Sequence, residues 1–246
     1  MASSRDVEMS FWDHLEALRG TLFRSVLALT LLTVLAMCFP KQLFAAVMWP
    51  TREDFLLYRL PGVGFSMSLI NIEISAQFFV YLKMSALCAV IAAFPYIIYQ
   101  VWRFISPALY DSERRAVKKA FGFSSGLFYM GVAVGYFIVL PVCLMFFVNF
   151  SLSGDIVNTI SLNSYISLFV SLVFLIGLIF EFPTVILALG ALGLIHRGTL
   201  RKGRKYAVVA TLLVAALITP SDPFSMFVLA LPLYGLFELS ILLCKE

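Results

Sequence analysis

Charge is scarce in this chain. Asp, Glu, Lys and Arg make up 13% of the 246 residues against 61% hydrophobic, and the mean hydropathy is +0.97, far outside the range of a soluble domain with a single core. Histidine is scarcer still: His14 and His196 both sit in polar flanks with no second histidine or cysteine at ligand spacing, so no metal site is expected. The four cysteines, Cys38, Cys88, Cys143 and Cys244, lie in or at the ends of apolar segments and read as small packing residues rather than a disulfide framework. No HExxH occurs and no histidine falls in an apolar run, which argues against an intramembrane hydrolase. No small-residue cleavage site follows the first apolar run, so the N-terminus is expected to be kept. The formal charge of +4 resolves into loop charges once its residues are placed, and neither a nucleic-acid partner nor a cofactor is expected.

What is abundant is apolar sequence of helical length. Runs at about 22–39, 77–105, 121–150, 164–195, 206–219 and 224–243 read as six transmembrane helices, making residues 1–246 one all-α integral membrane domain in contact with the bilayer. Residues 1–21 read as an amphipathic surface helix leading into the first span. Ser10 and Asp13 resemble a capping box, Phe11, Leu15, Leu18 and Leu22 fall on one face, and Asp13, Glu16 and Gly20 fall on the other. The mixed segment from Pro40 to about Ala76 is expected to be extended or to form short helices.

Within the second run, Pro95 should bend a helix of about 43 Å, and Lys83 is expected to snorkel to the headgroups. Small residues Gly122, Ser125, Gly126, Gly131 and Gly135 permit close helix contact in the third. The fifth run, about 21 Å as a helix, is short of a bilayer core. Lys and Arg separate cleanly if both termini are cytoplasmic. That side then holds Arg114, Arg115, Lys118, Lys119, Arg197, Arg201, Lys202, Arg204 and Lys205 among others, while the opposite side keeps Lys41, Arg52 and Arg59.

One acid stands in the fourth run: Glu181. A carboxylate at that depth costs roughly 2.5 kcal/mol or more, so it persists only where it faces protein or water or takes up a proton. Pro183, two residues on, removes a backbone donor and is expected to break the helix beside it. The site reads as a polar docking or relay point. Glu238, late in the sixth run, leaves a second reading open, a proton-coupled secondary transporter using both acids, although no inverted repeat is visible.

The ordered motifs HLEALR (14–19), Pro50, YQVWRFISPALYDSERR (99–115), FEFP (180–183), TPSDPFS (219–225) and LPLYGLFE (231–238) resemble the TatC family of the twin-arginine protein translocase nearly end to end. The resemblance implies a cupped bundle of six helices in the bacterial inner membrane, without enzymatic activity. It implies a receptor that binds twin-arginine signal peptides of folded cargo, recruits single-span TatA and TatB partners, works within a complex as a homo-oligomer, and draws on the proton gradient. It assigns signal-peptide binding to the N-terminal acid motif with Arg19, and to Glu113 with Phe104 nearby. Glu181 and Pro183 map onto the intramembrane acid motif, and Pro50 and Asp222 onto the far-side loops. The family pattern His-Leu-x-Glu-Leu-Arg is altered here, because Ala17 holds the glutamate position. Glu16 is turned from it by 100°, Asp13 by only about 40°, and either could take the role.

Overall fold

The computed structural model describes residues 11–59, 67–150, 159–219 and 223–244. Ser10 and Asp222 lie outside them. The chain enters as α1, Phe11–Ala36, one unbroken helix. The surface helix and first span expected as two segments are therefore continuous, since only Gly20 interrupts the good helix formers and one glycine does not end a helix.

Pro40 opens α2 (Pro40–Met48), where its fixed φ and missing N–H suit a first turn, and Pro50 lies buried in the tight turn Trp49–Thr51. The long helix α3 (Ala76–Ile105) follows. Next, α4 (Asp111–Val134) passes through a π-helical turn at Gly135–Val139 into α5 (Leu140–Asn149). The remaining helices are α6 (Leu162–Ile179), α7 (Phe182–Ala191), α8 (Arg197–Lys202), α9 (Arg204–Ile218) and α10 (Pro223–Leu243). Two-residue strands β1 (Leu69–Ile70) and β2 (Ile160–Ser161) pair in parallel and join the two far-side loops.

Five stretches among the described residues are long and apolar enough to cross a membrane: Trp12–Ala36, Ala76–Ile105, Val117–Asn149, Leu162–Ala191 and Pro223–Leu243. The expected fifth span is the exception. With 15 residues, α9 is about 22 Å long and falls short of the hydrocarbon core.

Antiparallel α1 and α3 keep one register along their length: the Tyr81 hydroxyl donates to the Met37 carbonyl at one end, and His14 stacks on Phe104 at the other. Pro95 lies inside α3, where it strips the Ile91 carbonyl of its helical donor. The Tyr129 hydroxyl of α4 supplies the missing hydrogen bond at 3.1 Å. Lys83 does not snorkel. Its ammonium donates to Asn163 Oδ1 (3.1 Å) and Ser167 Oγ (3.0 Å) and ties α3 to the first turns of α6, partners that the sequence places too far away to anticipate.

At the centre stands α6, which buries Tyr165, Ile166, Phe169, Leu172, Val173 and Ile176. It presses against α4 where glycine permits. A Cβ on Gly131 would lie 2.7 Å from Phe180 Cβ, and one on Gly177 2.9 Å from Val132 Cγ2, whereas Gly122 and Gly126 have nothing within 4 Å. Close contact is thus confined to the second half of α4. On the far side, tyrosine hydroxyls take up carbonyls at the end of α2 that have no helical donor: Tyr136 bonds Ala46 O (2.6 Å) and Tyr165 bonds Val47 O (2.5 Å). Tyr58 bonds Pro50 O at 3.0 Å, and its burial pushes the phenol well above its usual range, so it remains a donor.

Gly177→Ala should therefore lower stability by about 1–3 kcal/mol, because Val132 and Phe128 must both give way, while Gly122→Ala should be neutral. Thermal unfolding of the two variants in the same detergent checks this; equal midpoints would disprove the tight crossing.

Candidate functional site

Two clusters of chemically capable residues lie apart. The first forms where α1 begins and α3 ends. There the His14 ring stacks on Phe104 with centroids 4.3 Å apart and planes at 27°, which brings the N-terminal motif against the FISPALY segment. On α1, Asp13, Glu16 and Arg19 are exposed, whereas Ala17 is half-buried. The position that would carry the family's glutamate thus turns towards the protein, and the two acids flanking it turn to solvent.

After α3 the chain makes the tight turn Ser106–Ala108 and restarts as α4 at Asp111, with Glu113 in its first turn. Buried Ser106 accepts a hydrogen bond from Arg114 Nε at 2.8 Å, fixing the start of α4 to the end of α3. The acids of α1 and the first turn of α4 are therefore held on one end of the bundle. Carboxylates in such a setting can accept paired, charge-assisted bonds from a guanidinium, a geometry lysine cannot copy.

The second cluster is intramembrane. Between α6 and α7 the helix is interrupted, and Glu181 is the residue that precedes the new helix. Pro183 is not a strained residue in the middle of a helix; it occupies the first turn of α7, where no donor is required of it. Glu181 is only 8% exposed. Fully buried Ser124 of α4 donates to its Oε2 at 2.6 Å. Its Oε1 is buried and accepts no hydrogen bond among the described residues.

The same residue borders a groove of about 590 Å³ between the α6–α7 break and α9, otherwise walled mainly by Leu178, Phe182, Val185, Val214, Leu233 and Phe237. The Thr211 hydroxyl on its α9 wall bonds the Val208 carbonyl of its own helix, at 2.9 Å. The groove is thus mainly apolar, with Glu181 at its border and the Oε1 of that residue buried with no hydrogen-bond partner among the described residues. Sequence reading picked out Ser125 among the small residues of α4 and missed Ser124, the serine at the centre of GFSSG (122–126), whose partnership with Glu181 shows only once α4 is laid against the break between α6 and α7.

Glu238 belongs to neither cluster. Arg204 Nη2 contacts its Oε2 at 2.8 Å and the Tyr234 hydroxyl donates to its Oε1 at 2.9 Å, which locks α9 to α10. Among the described residues no hydrogen-bonded chain joins Glu238 to Glu181, so the expectation of two acids in one proton path is not supported. Pro50 is part of the far-side cap, with its carbonyl engaged by Tyr58.

The family model described as Sec-independent protein translocase protein (TatC) matches residues 13–232. The TatC protein of Escherichia coli strain K12 is 35% identical over 228 residues, 93% of this chain and 85% of the relative. That of a Blattabacterium species is 35% identical over 250 residues, 95% of this chain and 94% of the relative. The Halothiobacillus neapolitanus TatC is longer, and this chain covers 62% of it at 34% identity. A crystal structure of the twin arginine translocase receptor TatC in DDM superposes with a TM-score of 0.80 at 34% identity, covering 95% of this chain and all of that one. With a matched family model over most of its length and relatives above 30% identity, the chain belongs to the TatC family of Sec-independent protein translocase proteins.

Proposed function

We propose that this protein is the receptor subunit of a twin-arginine translocase in a bacterial cytoplasmic membrane, with both termini cytoplasmic. The observation that supports the reading is the His14–Phe104 stack, which joins the start of α1 to the end of α3, at the same end of the bundle as the first turn of α4. Each arginine of a signal peptide would meet a carboxylate there. Asp13, Glu16 and Glu113 are the acids available, with Phe104 as the wall against which the peptide lies. Arg19, exposed one turn on from Glu16, is placed to hold that acid in position.

The groove beside Glu181 supports the second half of the reading. An apolar helix from a single-span partner of the TatA or TatB type would fill it and set one polar side chain against the carboxylate. Short α9 fits a locally thinned bilayer that would let such a helix approach, and on this reading α9 is the fifth of six spans in chain order. The protein then works as a transport component within an assembly holding further copies of itself, with cargo movement drawing on the proton gradient.

Glu113→Gln should weaken twin-arginine peptide binding about tenfold or more, the value of one charge-assisted bond, with helical content and detergent stability unchanged. Fluorescence anisotropy with a labelled peptide reads this, and unchanged affinity would remove Glu113 from the site. By the same assay Asp13→Asn should be more damaging than Glu16→Gln, because Asp13 lies nearer the azimuth of the family's glutamate; the reverse order would reassign the role to Glu16. At the groove, Glu181→Ala should leave peptide affinity within about twofold while reducing crosslinking to a single-span partner, and Glu181→Gln, which keeps the acceptor, should be milder. Equal loss of peptide binding in both variants would mean that Glu181 maintains the fold or the recognition site instead.

A further inference from the structure

A pocket of about 360 Å³ at the basic end of the bundle is lined by Trp102, Arg114, Arg115 and Lys118, of which only Arg114 has a part above, as the tie from α4 to Ser106. Its depth is set by its elements. Trp102 is in the last turn of the stretch Ala76–Ile105, and Lys118 is in the first turn of Val117–Asn149 with the two arginines just outside it. That is the headgroup level of one leaflet, where an indole stands at the boundary between apolar and wet.

The charges are also oddly placed for a helix. Arg114, Arg115 and Lys118 occupy the first two turns of α4, the positive end of its dipole, where cations are disfavoured. Asp111 and Glu113 share that first turn, and among the described side chains the pocket's charged lining is Arg114, Arg115 and Lys118. One of its guanidiniums is already oriented, since Arg114 Nε is held by Ser106 Oγ at 2.8 Å, which leaves the terminal nitrogens to donate elsewhere. The indole is fixed from behind by Phe121, with ring centroids 5.5 Å apart. Preset donors, concentrated positive potential and an apolar wall at headgroup depth fit one ligand class.

We propose that this pocket binds the phosphate of an anionic phospholipid, with the guanidiniums and ammonium on the phosphate and the glycerol and upper acyl carbons against Trp102. Arg114, Arg115 and Lys118 favour a phosphate over a guanidinium, so the lipid assignment does not depend on the peptide reading. The test is native mass spectrometry of the full chain in detergent, titrated with phosphatidylglycerol or with phosphatidylcholine.

Wild type should bind phosphatidylglycerol in clear preference. Arg115→Gln with Lys118→Gln should weaken phosphatidylglycerol binding about 30-fold, the value of two cationic contacts, and leave phosphatidylcholine unchanged. The charge-keeping pair Arg115→Lys with Lys118→Arg should retain the preference, which separates lost charge from lost folding. Arg201→Gln with Lys202→Gln, in another basic segment, should also retain it. Equal loss in that variant would show that the preference reflects overall positive charge, and no preference in wild type would remove the site altogether. Displacement of the lipid by millimolar inorganic phosphate would reassign the pocket to a free anion and overturn the lipid assignment.

Discussion

The bond from Ser124 to Glu181 is the constraint around which the middle of the bundle is arranged. A carboxylate that is 8% exposed inside a membrane protein must be given partners by the protein, because no water is at hand to supply them. Ser124 can supply one only if α4 lies close against the end of α6. That closeness depends on Gly131 and Gly177, where any side chain would push Phe180, Val132 or Phe128 outward. The break at Phe180–Glu181 sets the acid at the start of α7, and Gly135 at the head of the π-helical turn continues the close packing on α6, where an added Cβ would lie 3.3 Å from Val173 Cα. Phe94 stacked on Phe128 then closes the space from the α3 side.

Elsewhere the bundle handles polar groups by sending hydroxyls to carbonyls. Tyr81, Tyr129, Tyr136 and Tyr165 each reach from one helix to a backbone oxygen on another, at a helix end or at the proline of α3, where helical geometry leaves the oxygen without a donor. A tyrosine does this well because its ring packs among apolar neighbours while its tip still donates. These bonds hold α2 and the far-side cap on α4 and α6. The position of Pro50 is thus a consequence of the bundle beneath it.

What the sequence made legible was whatever local composition dictates. Apolar runs marked the long helices and the brevity of α9, Pro183 marked a break in the helix beside it, and the isolated Glu181 marked the polar point inside the bundle. Proline at 183 was misread as a source of strain because position within a helix, not proline itself, decides whether the missing donor matters. The partners were beyond reach. Lys83 and Asn163 are 80 residues apart, and Ser124 and Glu181 are 57 apart; such pairs are fixed by which helices cross and at what height, which no single run encodes. The candidate peptide site was legible as motifs, while its assembly depended on the α1–α3 register that puts His14 on Phe104.

That register bears on how the two ends of the molecule communicate. The first turn of α4 carries Glu113 and the fixed Arg114, and the same helix carries Ser124 about 15 Å further along. A helix transmits axial movement without absorbing it, whereas the Ser124–Glu181 bond at 2.6 Å weakens steeply once its atoms separate by much more than half an ångström. Were a peptide to strain this bond by drawing the start of α4 toward α1, removing the bond in Glu181→Ala would raise peptide affinity by the same coupling, so an affinity held within about twofold requires that peptide binding leave α4 in place. The close glycine contacts at 131 and 177 favour that outcome, because α4 cannot shift there without displacing Phe180, Val132 or Phe128.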